Sequence, residues 1–226
     1  LVVAAGDRHR PEAHDALSAL CERYWYPVYA FVRRRGYIAA DAQDLTQEFF
    51  ATLLEKKYLR SADRERGRFR TFLLTTVSRF LSKQAERSRA QKRGGGRKLL
   101  SIDFADAEGR YLLEPVDRCT PEALFERRWA LILLDRTFQR LGADYARKGK
   151  SELYERLKSH LIASDDETDS SNLAAKLQMT AGALKVARHR LRSRFAKTLR
   201  EEIATTVVGP DEVEDEINRL LAAVRG

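Results

Sequence analysis

Apolar residues recur at helical spacing along most of this chain, and only five prolines interrupt its 226 residues. Ala13, Ala16, Leu17, Leu20 and Tyr24 follow one another every one to four residues, and Ala42, Leu45, Phe49 and Leu53 form a second stripe. Phe72, Leu73, Val77, Phe80 and Leu81 form a third. The stretches between turns are rich in Leu, Ala, Arg and Glu, which favour helix. The expected fold is therefore all-α: two small helical domains joined by a linker.

Turn residues divide the pattern. Pro11 suits a first helical position, Pro27 kinks or restarts the helix, and Gly36 ends it. Asp41 is positioned to cap the next helix. A polar loop, RSADRERGR, fills 60–68, and the helix after it begins near Phe69 and stops at the glycines 94–96. Residues 11–96 thus read as one domain. Residues 97–120 lack sustained periodicity and read as an acidic linker. Thr120 and Pro121 then look like a cap and a first helical position. A second domain, 121–205, follows with helices at about 121–147, 151–163, 171–178 and 181–205. Residues 206–226, broken by VGPDE at 208–212, form an acidic amphipathic extension with a last helix near 211–224.

The formal net charge is +9, and it is concentrated. Residues 60–98 hold 13 Lys or Arg against 3 Asp or Glu, and residues 170–200 hold 8 against none. Residues 99–122 reverse the balance with 2 against 6, and residues 201–226 with 2 against 7. Basic blocks of this kind attract polyanions, either nucleic acid or an anionic membrane surface. No apolar run reaches the length of a membrane span, so no membrane insertion is expected. No secretory signal is visible, although the chain opens on Leu1. Cys21 and Cys119 have neither metal-ligand spacing nor the number for a disulfide framework. A cytoplasmic location is the simplest expectation.

The stretch NLAAKLQMTAGALKVARHRLRSRF, 172–195, has the layout of a helix-turn-helix. Leu173, Ala174 and Leu177 line a short first helix, QMTAG makes the turn with Thr180 as cap, and Leu184, Leu191 and Phe195 line the second helix. Lys185, His189, Arg190, Arg192 and Arg194 are left outside. A helix of one charge sign repels itself, and a polyanion relieves that repulsion. Such a helix fits the major groove of duplex DNA. A solvated basic surface helix is the alternative. The segment 69–95 joins aromatic residues to Arg and Lys, a pairing that suits unstacked nucleic acid, although aromatics at helical spacing also build cores.

Together these parts resemble an alternative bacterial RNA polymerase sigma factor of the extracytoplasmic-function type, over about residues 12–203. The resemblance rests on DAQDLTQEFFATLLEK at 41–56, GRFRTFLLTTVSRFLSKQAERSR at 67–89, and the helix-turn-helix. It implies that Asp44, Gln47, Glu48 and Phe50 bind core RNA polymerase. It implies that Arg79, Lys83, Arg87 and Arg89 contact the melted −10 promoter strand, with loop 61–68, including Asp63 and Arg66, near a flipped-out base. It implies that Lys185, Val186, His189, Arg190 and Arg192 contact the −35 duplex. The linker, with Asp103, Asp106, Glu108, Glu114 and Asp117, would thread a polymerase channel as a mimic of nucleic acid; as bare sequence, an acidic linker is simply a soluble one.

There are departures from that pattern. Arg188 stands on the buried stripe of the second helix, where it must snorkel outward or the helix must be rotated. Asn172 stands where an acidic residue is common, and Phe72 replaces the usual Trp. The extension carries Val213, Ile217, Leu220, Leu221 and Val224 on one stripe, which must be buried. Packing on the second domain is one expectation; shielding of the basic recognition helix is the other. The function expected is promoter recognition with core polymerase, with an anti-sigma protein or another regulator left open. A polymerase-independent DNA-binding regulator is the alternative. An enzyme is not expected: no cofactor motif, metal signature or catalytic carboxylate–His cluster is present, and GGGRK at 94–98 lacks the Walker spacing.

Overall fold

The computed structural model describes residues 12–55, 68–90, 102, 104–114, 120–161, 167–207 and 209–225. Nine α-helices and no strand are found among the described residues. They are α1 (Glu12–Arg34), α2 (Ala39–Glu55), α3 (Phe69–Ala90), α4 (Ala107–Leu112), α5 (Pro121–Arg147), α6 (Ser151–Lys158), α7 (Glu167–Lys176), α8 (Ala181–Ala204) and α9 (Asp211–Arg225). The all-α expectation holds. Two compact units are present: Leu1–Ile132 with Ile203–Gly226, and Leu133–Glu202. Their boundaries fall inside α5 and inside α8.

Local chemistry explains several helix features. Pro27 has no N–H for the i→i−4 ladder, and α1 kinks at Tyr24 (φ −114°, ψ 15°) without ending. Gly36 closes α1 with φ +93°, a value glycine adopts without steric cost. Thr120 caps α5: its Oγ1 accepts a hydrogen bond from the Ala123 N–H at 3.1 Å. Asp41 does not cap α2. The helix begins two residues earlier, at Ala39, and Asp41 lies in its first turn, where the helix dipole favours negative charge.

The first unit is built on aromatic packing. Tyr24 stacks on Trp129 with centroids 3.8 Å apart, and Phe69 and Phe125 lie at 5.9 and 6.0 Å from the same indole. All four are buried. Cys21 is buried too, and burial pushes its thiol up to about 12, so it stays protonated and unreactive. The segment expected as a plain linker holds helix α4, whose six residues are too few to show a period. Phe104 packs on Trp25 at 4.9 Å and on Tyr29 at 5.8 Å. Glu108 accepts hydrogen bonds from Tyr29 (2.6 Å) and Arg33 (2.9 and 2.6 Å), and the Arg33 guanidinium holds its carboxyl below the usual range. Glu114 is buried between Tyr26, which donates at 2.9 Å, and Arg128. Two of the linker's acids are therefore neutralised by the first unit itself. Asp106 is exposed, while Asp103 and Asp117 lie outside the described residues.

The second unit has one core: Leu141, Tyr145, Tyr154, Leu157, Leu173, Ala174, Leu184 and Leu191. Tyr154 donates to the Phe138 carbonyl at 2.6 Å. A Cβ added at Gly142 would sit 2.9 Å from the Tyr154 ring. Gly142→Ala is therefore expected to destabilise this unit. The overpacking cost of about 1–3 kcal/mol exceeds the helix-propensity gain of about 1 kcal/mol. A higher midpoint in chemical denaturation would show that the ring has room to move.

Candidate nucleic-acid and partner interfaces

Helix α2 turns two different faces outward and inward. Ala42, Thr46, Phe49, Phe50 and Leu53 are buried, a ridge spaced four, three, one and three residues apart. This ridge is rotated from the expected stripe, since Leu45 is half-buried and Thr46 takes the deeper place. Thr46 can do so because its hydroxyl donates to the Ala42 carbonyl at 2.6 Å. Asp44 and Glu48 are exposed and Gln47 is half-buried, so these three share a polar outer face. Phe50 does not join them. It is 0 % exposed and packs on Phe49 with centroids 5.1 Å apart, so it supports the face from beneath.

Helix α3 repeats the division. Phe69, Leu73, Val77 and Leu81 are buried, and Phe72 and Phe80 are half-buried. Arg79 and Lys83 are exposed, four residues apart, and so stand on one face of the helix. Arg87 and Arg89 belong to the same helix, with side chains outside the described set, and Asp63 and Arg66 also lie outside the described residues. Arg68 ends the loop expected near a flipped-out base, and Arg70, in the first turn of α3, was not among the expected site residues. Arg70 is buried, 2 % exposed, and both are held by carboxylates of α9. Partners 146 residues away leave no local signal in a sequence.

In the second unit, α7 and α8 form the expected helix-turn-helix. Gln178 takes φ +53° in the turn, and the Met179 N–H donates to the Ala174 carbonyl at 2.9 Å. Thr180 caps α8, its Oγ1 accepting from the Ala183 N–H at 3.2 Å. Leu173 and Ala174 meet Leu184 and Leu191 in the core, and Leu177 and Phe195 pack against it. Lys185, Val186, His189, Arg190 and Arg192 are all exposed, so the structure brings the five together along one helix. Val186 is 48 % exposed, an apolar side chain in a row of cations. Arg188 is 7 % exposed and keeps its place on the buried side. The helix is not rotated to expel it. Arg194 lies over the Tyr145 ring at 5.3 Å, which fixes that guanidinium against its own unit.

Among the described residues no cluster of His, Cys, Asp or Glu could hold a metal ion. No helix among them is long and apolar enough to cross a membrane. Residues 20–91 match the family model described as Sigma-70 region 2. The match runs through α1, α2 and α3, and that family is a transcription initiation factor, not an enzyme. No curated protein and no solved structure gives a match to the chain.

Proposed function

We propose that this protein is an alternative sigma factor of the extracytoplasmic-function type, acting in the cytoplasm. It binds core RNA polymerase through the polar face of α2, with Asp44, Gln47 and Glu48 in contact and Phe50 holding the helix in shape. Arg79 and Lys83, with Arg87 and Arg89 further along α3, contact the phosphates of the melted −10 strand. The exposed row on α8 reads the −35 duplex. Helix α8 suits that task because its cations neutralise phosphates while Val186 offers an apolar contact to a thymine methyl. The match of residues 20–91 to Sigma-70 region 2 carries this reading. The capped, basic helix-turn-helix of the second unit supports it.

The test is transcription in vitro with core polymerase on a randomised promoter library, paired with a pull-down of core polymerase. Selective promoter firing is the expected result. A chain that binds duplex DNA but never core polymerase would instead be a polymerase-independent regulator. Within this reading, alanine at Lys185, His189 or Arg190 is expected to cost about 1–3 kcal/mol where a base contact is lost, with relaxed preference at one position. Loss of a phosphate contact weakens all sequences alike. Footprints on −35 mutants separate the two, and three variants that read the promoter like wild type would reject the assignment.

A further inference from the structure

Helix α9 is held in a place that neither of its expected roles foresaw. It belongs to the first unit, not the second. Val213 and Leu220 are buried, and Glu216 lies between them on the same side, 1 % exposed. The Glu216 carboxylate takes both arms of Arg70: Oε1 accepts from Nε at 2.8 Å and Oε2 from Nη2 at 3.2 Å. Arg68 pairs with Glu216 at 3.1 Å and with Asp215 at 3.3 Å. Arg70 also bonds Glu126 of α5. The main chain joins in, since the Phe69 N–H donates to the Thr206 carbonyl at 3.1 Å. The C-terminal segment therefore grips three consecutive residues, 68–70, at the start of α3.

Those residues open the helix whose outer face carries Arg79 and Lys83. No acidic residue occupies the first turn of α3. The positive end of the helix dipole and two guanidinium groups thus meet at one point, and carboxylates supplied from elsewhere in the chain offset them. The Arg68 and Arg70 side chains are 12 % and 3 % exposed, so neither can reach a phosphate while α9 is docked. A forked guanidinium grips a phosphate as it grips a carboxylate. Sealing charges away from water is also a poor way to gain stability, because desolvation consumes most of the attraction, and an apolar contact of the same shape would serve as well.

We propose that α9 is an autoinhibitory helix: docked, it withholds Arg68 and Arg70 from nucleic acid, and its release adds both cations to the strand-binding surface of α3. This rests on the strand-binding role proposed for α3. The experiment compares the full chain, a chain lacking residues 209–226, and full-length Glu216→Gln, which keeps the apolar stripe of α9. Each binds a labelled single-stranded oligonucleotide across a salt series, and each is pulled down with core polymerase. Two new phosphate contacts are expected to strengthen strand binding roughly tenfold at low salt and to steepen the salt dependence by about 1.4, twice the single-strand slope of about 0.7 per contact. Glu216→Gln is expected to shift both in the same direction by less. Arg68→Gln with Arg70→Gln, added to the shortened chain, is expected to erase the gain. A gain that survives those two substitutions overturns the proposal. So does an unchanged slope in a folded shortened chain; if that chain does not fold, an unchanged slope in Glu216→Gln decides against it. If every variant binds polymerase and none gains strand affinity, the autoinhibition falls and the function stands. If none binds polymerase, the function falls on its own evidence.

Discussion

Trp129→Ala is expected to cost the first unit about 3–5 kcal/mol, a large share of the ~5–15 kcal/mol that stabilises a whole domain. The indole is 0 % exposed and touches rings from α1, α3 and its own helix, so truncation empties a space that three elements line. Those elements cannot all close inward, because Tyr24 sits at the kink that Pro27 imposes on α1. The damage should stay local. Trp129 lies in the part of α5 assigned to the first unit, which ends at Ile132. Hydrogen exchange should therefore lose protection in α1, α2 and α3, while α6, α7 and the start of α8 keep theirs. Equal loss in both units would show that α5 transmits the defect along its length.

The same residue shows what the sequence could and could not convey. Thr120 and Pro121 correctly marked the start of α5, because a cap is local chemistry. The turn at 178–180, the Thr180 cap and the Leu184/Leu191 stripe were legible for the same reason. Nothing in the period of α5 reveals that its first twelve residues serve one unit and the rest another. That depends on which rings Trp129 meets, and Tyr24 lies more than a hundred residues away. Charge was the least legible property. Glu114 reads as a solvated linker acid and is buried on Tyr26 and Arg128; Glu216 reads as one acid of the amphipathic extension and is buried on Arg70. Local pattern suggests exposure for each, and a distant arginine reverses it. Of the residues expected to face outward, the row on α8 and the polar face of α2 were the clearest. Phe50 was not, because one position along a helix separates the buried Phe49–Phe50 pair from the outer face, and the period alone tolerates that slip.

Glu48→Lys is expected to weaken binding to core polymerase by at least tenfold, about 1.4 kcal/mol, while moving stability by less than about 0.5 kcal/mol. The two effects separate because of where the side chain points. Glu48 is exposed on α2, while Phe49 beside it and Thr46 two residues before are in the core. Among the described residues no buried group pairs with Glu48, and lysine is as good a helix former as glutamate. What changes is the sign of the field on a face that also carries Asp44 and Gln47. A partner surface complementary to that face meets a like charge, which costs more than a lost contact. Glu48→Gln, which removes the charge without reversing it, should fall between wild type and lysine. The difference between the two variants should shrink as salt rises, because added ions shorten the screening length, about 10 Å at 0.1 M, over which exposed charges act on one another. Binding would be measured by titrating labelled core polymerase, and stability by thermal melting of each variant alone. Wild-type affinity in the lysine variant would remove Glu48 from the interface. A matching fall in melting temperature and affinity would make it a structural residue. A salt-sensitive loss of affinity at constant melting temperature places the partner's basic surface against α2.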